Sequence, residues 1–205
     1  AKMFKMSYLS AISLSLFLLF SIGFLIWIVI PKFLETPSYA VELSDSKFQL
    51  RSYENFITTR ISMNGEQNEA LRKGFRPLVR FIGAKERATE KISMTVPVMQ
   101  VKTPSEDQWL VSFSMPSKYT LDNLPKPKDI NLTQEFVPKK LMAVLKFNGR
   151  ANEELLQLKE IELRKWIGDN DFEIVSLVHY YFYNDPTTPG FLRRNEVLFE
   201  VTRTK

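Results

Sequence analysis

The chain has 205 residues, 44% of them hydrophobic and 25% charged, enough for one domain with a substantial core plus an appendage and too few for two full domains. Its formal net charge of +5 comes without a dense basic run interleaved with aromatics, so it falls short of a nucleic-acid footprint while leaving anionic small molecules and anionic lipid headgroups open. Cysteine is absent, which excludes disulfides, thiolate metal sites and cysteine nucleophiles and leaves the redox compartment undetermined.

The first element is a charge-free run from Tyr8 to Ile30, YLSAISLSLFLLFSIGFLIWIVI. About 20 apolar residues at about 1.5 Å each cross a hydrocarbon core of roughly 30 Å, so the run predicts one N-terminal transmembrane helix. Two other readings compete. A buried core helix would need a polar face or a large surrounding core, and a cleaved signal peptide has a shorter apolar region and a nearby small-residue site, whereas Ser38-Tyr39-Ala40 lies well past the apolar end. Lys2, Lys5 and the amino terminus precede the run, and Lys32 with Glu35 follows it, so the positive-inside rule places the N-terminus in the cytoplasm and the remainder across the membrane. Residues 1–30 are therefore expected to be a single-pass anchor, 31–38 a linker, and 39–205 the folded domain.

Past the linker, Tyr39–Leu43, Lys47–Glu54 and Phe56–Met63 alternate as short strands. Gln67–Ile82 changes period: Leu71, Phe75, Leu78, Val79 and Ile82 share about a third of a helical wheel, giving a helix with an expected bend at Pro77. Strands follow at Ser93–Lys102 and Trp109–Met115, the latter with Trp109, Val111, Phe113 and Met115 on one face. Pro97, which donates no ladder hydrogen bond, is expected at a sheet edge or bulge.

The same order then recurs. Strands near Asp129–Gln134 and Leu141–Phe147 lead into a helix over Asn152–Ile167, with Leu155, Leu156, Leu158, Leu163, Trp166 and Ile167 on one side, and strands at Phe172–Tyr183 and Glu196–Arg203 close the chain. Strands, a helix and two strands, twice over, predict an α+β domain whose two related halves build one curved sheet with both helices packed outside. The halves share element order, not residue-by-residue identity.

Several short motifs stand in a diagnostic order: Arg51-Ser52-Tyr53, EALRKGFRPLVRFIGA at Glu69–Ala84, KISMTVPV at Lys91–Val98, VSFSMPSKY at Val111–Tyr119, YNDPTTPG, and RRNEV at Arg193–Val197. In this order they resemble the SOUL heme-binding proteins, over about Tyr39–Thr202. The resemblance implies a distorted antiparallel β-barrel flanked by two helices in a pseudo-twofold arrangement. It further implies reversible, non-covalent binding of heme or a related tetrapyrrole in a shallow apolar groove beside the first helix of the domain, with basic residues near the propionates.

On that helix Arg72, Arg76 and Arg80 recur every four residues beside Phe75 and Val79, a row suited to an amphipathic dianion and equally to the solvated shoulder of a surface helix. Arg72 and Arg80 match positions that are basic in the family; Arg76 rests on helix geometry alone. His179, the only histidine, is expected on a strand face with Val175, Leu177 and Tyr181, either as an iron ligand through a neutral ring nitrogen or as a hydrogen-bonded, partly buried strand residue. Met94 and Met99 offer thioethers but read as core filler. Where some family members carry a lysine in the last loop, this chain has Thr187, Thr188 and Pro189, and Arg193, Arg194 and Glu196 are expected to pin that loop by ion pairs and backbone hydrogen bonds.

The function expected is a tethered carrier or buffer of tetrapyrrole. The alternative is an effector- or protein-binding module on the same fold. Glu66, Glu69, Asp107, Asp169 and Asp171 are scattered acids, and no Ser-His-Asp order, zinc spacing or glycine-rich phosphate loop occurs, so no enzyme is predicted.

Overall fold

The structure, a computed structural model, describes residues 8–29, 33–85, 90–105 and 107–204, with side chains in the first helix for 8, 12–21 and 23. Lys2, Lys5, Ile30, Pro31 and Lys32, on which the expected span and its orientation rest, lie outside the described residues. The chain divides into two compact units, Ala1–Leu34 and Glu35–Lys205.

In the first unit, α1 covers Tyr8–Val29, 22 residues with no acidic first turn and no basic last turn. The side chains from Ile12 to Phe20 are all exposed. Among the described residues, which omit many α1 side chains, no helix is long and apolar enough to cross a membrane.

The second unit runs β1 (Tyr39–Asp45), β2 (Phe48–Tyr53), β3 (Phe56–Asn64), α2 (Gln67–Ile82), β4 (Val98–Lys102), β5 (Gln108–Ser114), β6 (Leu132–Val137), β7 (Lys140–Phe147), α3 (Glu153–Asp169), β8 (Phe172–Ile174), β9 (His179–Phe182) and β10 (Asn195–Arg203). The sheet order is β1-β2-β7-β10-β9-β4-β5-β3-β6, with β8 added on β10. Around the central β9–β4 pair this order is symmetric: β3-α2-β4-β5 contributes β4-β5-β3, and β7-α3-β9-β10 contributes β9-β10-β7. Each half also lends a strand to the other, β2 pairing with β7 and β6 with β3. The doubled element order read from the sequence is thus matched by a symmetric strand order in the sheet.

The sheet does not close. Strands β1 and β6 are its two ends, so the expected barrel is an open, ten-stranded antiparallel sheet. Both end strands are tied back by ion pairs, Glu42 of β1 to Arg203 (3.2 Å) and Glu135 of β6 to Arg60 of β3, and charged edges of this kind oppose further pairing. Alternation along a strand reports which face is buried; it carries no signal about whether the terminal strands meet.

Both helices pack on one face. There α3 rests on Val197, Phe199 and Val201 of β10 with Leu156, Leu163, Trp166 and Ile167 buried, each such side chain contributing about 1.5–3 kcal/mol. Its N-terminus is capped by Asn152, whose Oδ1 accepts from the Leu155 N–H at 3.0 Å. Leu158, expected inside, is 55% exposed.

Helix α2 has the predicted bounds, but its buried face is rotated. Gln67, Ala70, Gly74, Leu78, Phe81 and Ile82 are buried, Leu71 and Phe75 half-buried, and Val79 37% exposed. The cause is Gly74: a Cβ built there would stand 2.8 Å from the Val111 Cβ, so the backbone itself lies against β5 and the large side chains splay to either side. The helix continues through Pro77.

Two strand expectations are also corrected. Residues 91–96 are not strand, and β4 begins after Pro97, between β5 and β9 and therefore not at an edge; the missing donor lies outside the ladder. The Val96–Pro97 peptide is cis. The single strand expected over Phe172–Tyr183 is split into β8 and β9, because Ser176 turns its side chain onto the backbone, accepting from Glu200 N–H and donating to Leu177 O, both at 2.9 Å. Val175 and Leu177 therefore lie between strands and not on a face with His179.

Candidate functional site

Residues directly opposed in an antiparallel sheet share a face. On the helix face Val98 opposes Phe113 on one side and Phe182 on the other, and the Phe75 ring meets Phe113 edge-on at 5.5 Å between centroids. Phe75, Val98 and Phe182 are only half-buried. They form a partly open apolar strip running from α2 across β5 and β4 to β9, separate from the cavities of about 400, 250 and 390 Å³ elsewhere in the unit. Arg72, Arg76 and Arg80 stand exposed on α2 next to Phe75, and exposed Val79 extends the apolar surface between them. The structure thus brings five of the six expected site residues onto one helix.

The sixth is elsewhere. Tyr180 and its partner Val197 belong to the core under α3, so His179, one residue earlier, faces the opposite, inner side of the sheet. There it lines the 250 Å³ cavity with Met99, Tyr181, Arg60 and Lys140. Burial, with a smaller contribution from Lys140, holds its imidazole down at about 3, a neutral ring. The full thickness of the sheet separates His179 from the arginine row, and its cavity is smaller than the roughly 300–1,000 Å³ usual for ligand pockets.

The last loop, between β9 and β10, is held as expected. Arg193 donates to the carbonyl oxygens of Thr188 (2.7 Å) and Pro186, Arg194 N–H donates to Asn184 Oδ1 at 2.8 Å, and the Arg194 guanidinium donates to Glu196 Oε1 at 2.7 Å.

Glu196 has a second and closer role. It forms a bidentate pair with Arg51 of β2, Nη1 to Oε2 and Nη2 to Oε1 at 2.9 Å each, with both side chains 0% exposed. Tyr53 accepts from Arg51 at 3.0 Å, Tyr183 donates to Glu196 at 2.8 Å, Gln49 accepts from Arg51 Nε at 2.9 Å, and Arg51 lies 4.3 Å over the Tyr39 ring. Burial pushes the Glu196 carboxyl up, but Arg51 and Arg194 together outweigh it and hold the group below its ordinary value. The Arg51-Ser52-Tyr53 and Arg193–Val197 motifs are therefore two halves of one buried ionic cluster on the inner face. The two motifs lie 145 residues apart along the chain, and the signal available in sequence is a charged residue within each strand beside one apolar neighbour, Leu50 for Arg51 and Val197 for Glu196.

Residues 34–200 match the family described as SOUL heme-binding protein. The chain belongs to the SOUL family. A Xenopus laevis protein, heme-binding protein 1, is 30% identical over 159 residues, covering 74% of this chain and 82% of its own length. Among solved structures, the C-terminal domain of EcmrR matches at a TM-score of 0.59 with 12% identity, covering 81% of this chain and 99% of that one. A hydrolase from Listeria innocua matches at 0.55 with 9% identity, covering 78% and 94%. At such identities these two speak to the fold alone. The SOUL match takes in the α2 strip, the ionic cluster and the last loop, and leaves α1 outside it.

For a SOUL protein the fit to heme can be judged on the residues present. A flat amphipathic dianion needs apolar surface for the ring and cations at one margin. The Phe75–Val98–Phe182 strip and the α2 arginines supply both, so the groove side of the molecule fits. No histidine reaches that strip, since the only one lies on the other face.

Proposed function

We propose that this SOUL protein binds heme or a related tetrapyrrole reversibly on the strip beside α2, and acts as a membrane-tethered carrier or buffer without transforming its ligand. The observation that carries the reading is the juxtaposition of half-buried Phe75, Val98 and Phe182 with the exposed row Arg72, Arg76 and Arg80. Phe75 and Val79 cover one side of the macrocycle, and the guanidinium groups make charge-assisted hydrogen bonds to propionate carboxylates. Bound heme supplies a redox-active iron; the chain's own contribution is to orient the ring and to hold its acidic edge. A shallow site that leaves one ring face in solvent releases as readily as it loads, which suits carriage or buffering. Tethering rests on the 22 charge-free residues of α1, and orientation on the charge asymmetry of its flanks.

A hemin titration of the full chain in non-ionic detergent, followed by absorbance, tests the site. One-to-one saturation is expected, weakened roughly tenfold or more by Arg72→Ala/Arg80→Ala, since each charge-assisted bond contributes about 1.5–3 kcal/mol. Absence of saturation, or indifference to those changes, refutes it. Because the chain has no cysteine, single engineered cysteines in the second unit report the side of the membrane by labelling with an impermeant maleimide.

A second reading, an effector-binding module, is favoured by the 390 Å³ cavity lined by the first residue of α2, Gln67, and by one side of α3 from Glu153 to Arg164. Trp109 and Tyr180 line it with centroids 6.2 Å apart, and Tyr180 donates to Glu160 at 3.0 Å. A ligand there would bind equally well with Arg72 and Arg80 removed, which separates the two readings in the same titration.

A further inference from the structure

The 400 Å³ cavity lies away from both sites just described, where the chain enters the second unit. Its charged lining residues are Glu35 and Glu54, with no lysine or arginine among them, in a chain whose net charge is +5. Three aromatic side chains complete it: Phe56 and Tyr119, both half-buried, and Phe136, 49% exposed. Carboxylates and aromatic ring faces are the two groups that attract an organic cation, the first by charge and the second through the ring quadrupole.

The acidic wall is fixed in advance. Glu35 is bridged to Thr95, its carbonyl oxygen accepts from Val96 N–H at 2.9 Å, and its Oε1 accepts from Ser117 N–H at 2.6 Å. Glu54 N–H donates to Ser38 O at 2.9 Å, which joins the two acidic segments directly. Glu54 also pairs with Lys139 at 2.5 Å, but both partners are more than half exposed, and such surface pairs contribute about 0–1 kcal/mol and exchange readily. Lys118 stands 5.1 Å over the Tyr119 ring and so competes for one face of that ring, leaving Phe56 and Phe136 as the principal ring surfaces. The volume lies within the roughly 300–1,000 Å³ usual for small-molecule sites, and a pre-formed wall spares the ligand the cost of ordering it.

We propose that this cavity binds a small organic ammonium ion with an apolar body, its cationic head between Glu35 and Glu54 and its body against Phe56 and Phe136. The site is independent of the tetrapyrrole strip and of opposite charge preference.

The test uses three soluble probes with one aromatic body and different charge: benzyltrimethylammonium, benzyl alcohol and benzenesulfonate. Each is titrated calorimetrically into the full chain in non-ionic detergent, with protein-free detergent as blank. Saturable binding of the cation alone is expected, weakened about tenfold by Glu54→Gln and again by Phe136→Ala, as a contact of order 1–2 kcal/mol implies. Both changed side chains are exposed, so folding is retained, and an unaltered thermal midpoint verifies it. Glu35→Gln is included as a third variant and is read only if its midpoint is likewise unaltered. Equal binding of the neutral probe, no saturation by the cation, or binding unchanged in Glu54→Gln and Phe136→Ala overturns the proposal. Arg72→Ala/Arg80→Ala leaves cation binding unchanged, so failure here and failure of the tetrapyrrole reading are told apart.

Discussion

Replacing Arg51 by methionine removes the guanidinium from a carboxylate that is 0% exposed. Two of the five hydrogen bonds to the Glu196 carboxylate are lost at once, and Tyr53 and Gln49 lose a donor. Breaking one side of a buried pair costs about 3–5 kcal/mol; because Arg194 and Tyr183 still reach Glu196, about 3 kcal/mol is expected here. The loss should depend on pH in a definite sense. In the parent protein Glu196 sits below its ordinary value of 4.5, so its contribution is fully present above that value and is lost as pH falls through the depressed folded one. In the variant, burial is opposed chiefly by Arg194, the folded value rises, and protonation relieves the buried charge. The deficit between the two proteins therefore narrows as pH falls from 7 toward 4.5 and below. Urea unfolding of both proteins in detergent, followed by tryptophan fluorescence at several pH values, measures it. A loss under about 1 kcal/mol at pH 7, or a deficit that stays constant with pH, refutes the assignment of Arg51 as the principal counter-ion. The double change Arg51→Met/Glu196→Leu should recover most of the loss, since a buried pair replaced by apolar groups is often neutral.

Gly74→Ala should destabilise by about 1–3 kcal/mol in the same assay although alanine is the better helix former by about 1 kcal/mol, because its Cβ meets the Val111 Cβ; an unchanged or raised midpoint would mean α2 lies farther from β5. Asn152→Ala should cost about 1 kcal/mol through loss of the α3 cap, with Asn152→Asp close to the parent, whereas equal losses for both would remove the cap from the account. His179 is held neutral to about 3, below its ordinary 6.5, so between those values the unfolded chain binds more protons and stability falls as pH falls, by at most about 1.4 kcal/mol per pH unit. His179→Gln should flatten that decline between pH 6.5 and 5, and should leave the absorbance of hemin-loaded protein unaltered; a changed spectrum would bring His179 into the ligand site.

The parts of the fold that were legible in the sequence are those with strong period. The bounds of α2 and the buried set Trp109, Val111, Phe113 and Met115, which faces the helices, are as read, because sixteen residues at a helical period and seven at a strand period leave little choice of register. What failed did so for identifiable reasons. Counting large apolar side chains points to the wrong face of α2, because the close contact is made by Ala70 and Gly74, whose value is their smallness. Family likeness implies a barrel, while closure depends on whether β1 and β6 meet. Alternation groups His179 with Val175 and Leu177, and Ser176 breaks the strand between them. The arginine row and Phe75 were visible as a pattern on one helix, but Val98 and Phe182, which complete the strip from two other strands, become neighbours only through the sheet order.

The exchange of β2 and β6 between halves has a consequence for how the chain reaches this state. Leu50 must find Ala143 and Thr58 must find Glu135 before either half has a complete sheet, so a chain cut between β5 and β6 is expected to leave neither half stable alone. Sheet pairings this distant along the chain raise the contact order, and the loop-closure entropy is incurred before the contacts that offset it are made. Folding of the second unit is accordingly expected to be slow, since two strands contributed in trade are seated only when both halves are present.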